Sequence, residues 1–96
     1  MKSFSGFPAG KLQVTPLPNL FFSELCPAIG DLAELKVTLH LLWLLAHSKV
    51  AYIRASELRG DSTLMQSLAV SEAKPDEVLV RALDAAAARG TLLRLD

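Results

Sequence analysis

The segment from Asp31 to Ser48 constrains the fold of this chain more than any other. Asp31 is a good helix N-cap, and Glu34, three residues later, can reach back to complete a capping box. The C-terminal half, residues 41–46, is apolar almost all round, which is typical of a helix enclosed by other elements. The pattern therefore predicts a central helix over Asp31–Ser48 with Trp43 packed in the core.

Length and composition indicate one compact domain. The chain has 96 residues, 51% of them hydrophobic, which is enough apolar surface for one core but leaves no room for a second domain. Ten Lys plus Arg balance ten Asp plus Glu, so any nucleic-acid role must depend on a local patch. Cys26 is the only cysteine; this excludes an internal disulfide or paired-Cys zinc site and favours a buried apolar role.

The N-terminus and the apolar runs favour a cytoplasmic protein without a membrane anchor. The start of the chain lacks the continuous apolar segment of a secretory signal. The most apolar run, Leu41 to Ala46, is too short to cross a bilayer.

Residues 1–18 are predicted to form an extended arm, because they contain three of the five prolines. Within it, Lys11–Val14 alternates polar and apolar side chains, as a short edge strand does. The remaining residues, 19–96, alternate helical and strand patterns. We expect helices at 19–26, 31–48, 62–69 and 75–89, a brief helix at 56–58, and strands at 50–54 and 91–95.

This order predicts a mainly α fold with a small β-sheet, of the winged helix-turn-helix type. Pro75–Arg89 would be the reading helix, and the strand pattern Thr91–Leu95 would begin the wing. Because that pattern stops at Asp96, we expect residues 19–96 to be a winged-helix domain truncated in or before the wing.

Three segments resemble the N-terminal domain of DnaD-type replication initiation proteins: residues 18–22, 31–39 and 88–93. The resemblance spans most of the chain. It implies a winged-helix domain that self-associates and acts in primosome assembly and helicase loading with other replication proteins. It also implies a further DNA-binding domain C-terminal to this one.

Direct DNA reading by the predicted third helix is disfavoured, because Asp76 and Glu77 at its first turn would repel phosphates. Arg81 is expected to pair with Glu77 or Asp84 on a solvated face. Weak, non-specific contact with the DNA backbone has six candidate cations. They are Lys49, Arg54, Lys74, Arg81, Arg89 and Arg94.

Self-association has its own candidates in the arm. Apolar side chains there are poorly suited to water, and a short strand could pair with a second chain to form a homodimer or higher oligomer. The alternative is an arm folded back over the region of Phe21 and Trp43. The candidate residues are Phe4, Phe7, Leu12 and Val14.

Catalysis, cofactor binding and a small-molecule substrate are not expected. The sequence has no nucleophile elbow and no phosphate-binding glycine loop. His40 and His47 share a helix face but lack a third metal ligand.

The sequence therefore predicts a replication-initiation module that acts by oligomerisation, with weak non-specific DNA binding. The alternative is a winged-helix protein-interaction module that never touches DNA. Arginines gathered on one face without carboxylates would favour DNA, and dispersed charge would favour the partner protein.

Overall fold

A computed structural model gives the fold and describes residues 4–48 and 50–92. Within these ranges the chain is mainly helical, with helices joined by short connections. A π-helical turn, Phe21–Leu25, comes first. It is followed by α1 (Cys26–Ala28), α2 (Leu32–Ser48), α3 (Ala55–Arg59), α4 (Ser62–Ser71) and α5 (Pro75–Arg89).

The predicted β-sheet is wrong, because residues 4–48 and 50–92 contain no strand. Lys11–Val14 and residues 50–54 have strand-like composition but lie outside any regular element. Residues with strand propensity form a strand only where a neighbouring segment supplies ladder partners, and neither segment has such a partner among the described residues. Of the third predicted strand, Thr91 and Leu92 form a bend, and residues 93–95 lie outside the described residues. The winged-helix fold is therefore also wrong.

The predicted central helix is confirmed as α2. The Asp31 carboxylate accepts a hydrogen bond from the Ala33 backbone N–H at 3.2 Å, as an N-cap does. Val37 and Leu41 lie on the buried side of the helix. Glu34 does not close the expected capping box, because its carboxylate pairs with Arg89 of α5 instead.

Helices α4 and α5 complete the core against α2. Leu64 and Leu68 of α4 and Leu79 of α5 are essentially buried, as is Ala82 of α5, and all belong to one apolar cluster that includes the buried side of α2. The predicted bounds of α5 are confirmed. Gly90 follows it with φ +90°, the left-handed conformation that glycine adopts without strain.

Two predicted core residues are less buried than expected. Trp43 is 43% exposed, so its predicted place in the core is wrong. Cys26 is only half-buried. Leu32, Leu39 and Trp43 of α2 are all exposed, so the side of the helix away from the core is partly open to solvent although it is apolar.

No helix in the described part of the chain combines the length and apolarity needed to cross a membrane.

Candidate functional site

The arm exposes all four side chains that the sequence predicts for self-association. Phe4 is 74%, Phe7 82% and Val14 85% exposed, and Leu12 is 45% exposed. The Phe4 and Phe7 rings meet edge to face, with centroids 5.1 Å apart. The arm therefore does not cover the domain to which it belongs, and its apolar side chains are open to another surface.

A second open apolar surface lies between α2 and α4, where sequence reasoning did not place one. Leu39 and Trp43, one turn apart on α2, form its apolar wall. We name it the α2–α4 groove; its volume is about 330 Å³. It is lined by Lys36, Leu39, His40 and Trp43 of α2 and by Thr63, Leu64 and Ser67 of α4.

Polar contacts hold the two walls of the α2–α4 groove in place. The Lys36 Nζ donates to the Ser67 carbonyl oxygen at 2.8 Å, and His40 Nε2 lies 2.8 Å from Asp61 Oδ2. Trp43 stacks on His47 with a ring separation of 5.3 Å and lies 5.5 Å from the His40 ring. The half-exposed indole is thus held in one orientation at the mouth of the groove.

Asp61 joins α2 to the start of α4 and has a lowered pKa. Its Oδ1 accepts a hydrogen bond from the Leu64 backbone N–H at 3.1 Å, which caps α4. The hydrogen bond with His40 is the main cause that holds the pKa of Asp61 below its ordinary value of 3.8, and the Leu64 N–H adds to it.

Low pH is therefore expected to weaken the contacts of Asp61 with His40 and with the first turn of α4. Because the folded-state pKa of Asp61 is depressed, its contribution to stability is complete above the unfolded value and is lost as the pH falls through the folded one. Asp61→Ala should lower the free energy of unfolding near neutral pH by about 1 kcal/mol for the lost cap and flatten this acid response. Urea unfolding between pH 7 and pH 3 measures both effects.

Asp61→Asn is the matched control, because asparagine can still cap α4 but carries no charge. It should keep most of the neutral-pH stability and still flatten the acid response. An acid response equal to that of the parent in both variants would contradict the role of Asp61.

Arg81, a predicted DNA contact, is held between two carboxylates. It donates to Glu72 at 2.6 and 2.8 Å and to Asp31 at 3.2 to 3.4 Å. The predicted pairing with Glu77 or Asp84 is therefore wrong: tertiary packing brings the loop before α5 and the N-cap of α2 to the guanidinium. The Arg81 hydrogen bond lowers the pKa of Glu72, and Glu72 in turn raises that of Arg81.

Arg89, another predicted DNA contact, is bound to a buried carboxylate. Its guanidinium donates from Nε to Glu34 Oε2 at 2.8 Å and from a terminal nitrogen to Oε1 at 3.1 Å. This two-point hydrogen bond raises the pKa of Arg89. Because Glu34 is only 1% exposed, the Arg89 guanidinium neutralises a negative charge in the domain interior.

The structure describes two of the four other candidate cations. Lys74 directly precedes α5, and its Nζ lies 4.0 Å from a carboxylate oxygen of Glu77. Arg54 is exposed and directly precedes α3. Lys49 and Arg94 lie outside the described residues. Carboxylates thus lie beside three of the four candidate cations that the structure describes, namely Lys74, Arg81 and Arg89.

Among the described residues, no group of three or more His, Cys, Asp or Glu side chains is arranged to hold a metal ion. His40 and His47 instead contact Trp43.

No protein-family model, curated protein or solved structure matches this chain. Function must therefore be inferred from the geometry of the chain.

Proposed function

We propose that this chain is a non-catalytic protein-interaction module that self-associates through its arm. The observation that carries the proposal is the exposure of Phe4, Phe7 and Val14, each at least 74% in solvent, beside a helical domain that leaves them uncovered. Apolar side chains grouped in one segment are typical of a surface that another chain covers.

The energetics support an interaction role. Removing apolar surface from water contributes about 25 cal/mol per Å², and aromatic side chains bury about 150–250 Å² each. Phe4 and Phe7 are adjacent, so one contact can cover both rings. Covering both rings would therefore remove a large apolar area from water, although the segment that carries them is short.

The charge arrangement supports a protein partner over DNA. Arg81 forms ion pairs with the carboxylates of Asp31 and Glu72, and Arg89 forms an ion pair with Glu34. A phosphate that approached either guanidinium would have to displace an existing ion pair. The resemblance to DnaD-type proteins implies a winged helix that the described residues do not form, so it adds no support for a role in replication.

Light scattering on the full chain tests self-association. We expect a mass of at least twice the 10.4 kDa of one chain at micromolar concentration or above. A double variant, Phe4→Ser with Phe7→Ser, should shift the equilibrium to monomer. The control is Leu20→Ser with Phe22→Ser, a pair of similar exposure outside the arm that should keep the parent mass.

A titration of labelled single- and double-stranded DNA separates the two kinds of partner. We expect no change in DNA anisotropy at physiological salt. A monomeric mass at every concentration, together with salt-dependent DNA binding, would contradict the proposal and favour a DNA-binding module.

A further inference from the structure

We draw no further inference here: the strongest candidate, the α2–α4 groove with the exposed side chains of Leu39 and Trp43 as its apolar wall, is a shallow face, and nothing in the structure shows what covers it.

Discussion

Replacing Arg89 with methionine is expected to destabilise this domain more than any other removal of a charge in its described residues. The carboxylate left behind belongs to Glu34, which is 1% exposed and receives two hydrogen bonds from Arg89. Without the guanidinium, that carboxylate remains in the interior with neither a counter-charge nor water. The free energy of unfolding should fall strongly, as measured by urea denaturation at neutral pH.

Two comparisons separate the loss of the buried pair with Glu34 from the general effect of removing an arginine. Arg81→Met removes a surface pair with Glu72 and Asp31 and should cost far less, because solvent screens exposed pairs. The double variant Glu34→Leu with Arg89→Met should regain much of the lost stability, because it leaves no buried charge. If Arg89→Met were no worse than Arg81→Met, the pair with Glu34 would not be part of the domain's stability.

Leu79→Ala is expected to have the second large effect. Leu79 of α5 is fully buried in the cluster shared by α2 and α4, so its truncation leaves a cavity among three helices. Such substitutions cost about 2–5 kcal/mol, a large part of the about 5–15 kcal/mol that stabilises a typical domain. The urea midpoint should fall with little change in slope.

Leu79→Met and Leu20→Ala are the controls. Leu79→Met nearly conserves volume and should cost less than about 1.5 kcal/mol. Leu20 is 63% exposed, and its truncation should change stability by no more than about 0.5 kcal/mol. A cost for Leu79→Ala as small as that for Leu20→Ala would contradict the placement of Leu79 in the core.

The long helices could be predicted from sequence because their signals are local. Asp31 before α2, and Pro75 and Gly90 at the two ends of α5, are capping residues that act within one turn. That residues 50–54 form no strand could not be predicted in this way. Residues 50–54 have strand composition, but a strand also needs a partner, and composition does not reveal whether one is present.

Of the two exposed apolar surfaces, only the arm could be predicted from the sequence. The arm side chains stand out because apolar residues among prolines have no core to join. The α2–α4 groove was missed because Trp43 lies in an apolar run, and periodicity does not tell which side of α2 its neighbours cover. The partners of Arg81 and Arg89 were missed for a similar reason. Asp31 and Glu34 lie 50 and 55 residues away in sequence, beyond the reach of helix spacing rules.

Self-association through the arm, as proposed, would also make the stability of this chain depend on its concentration. A contact formed only between folded copies stabilises the folded state by mass action, since unfolded chains cannot make it. If the arms join copies to one another, the melting temperature rises as the protein is concentrated, and the substitutions at Arg89 and Leu79 are comparable only at one shared concentration. The arm then contributes to the folding equilibrium although its side chains lie in solvent in a single copy.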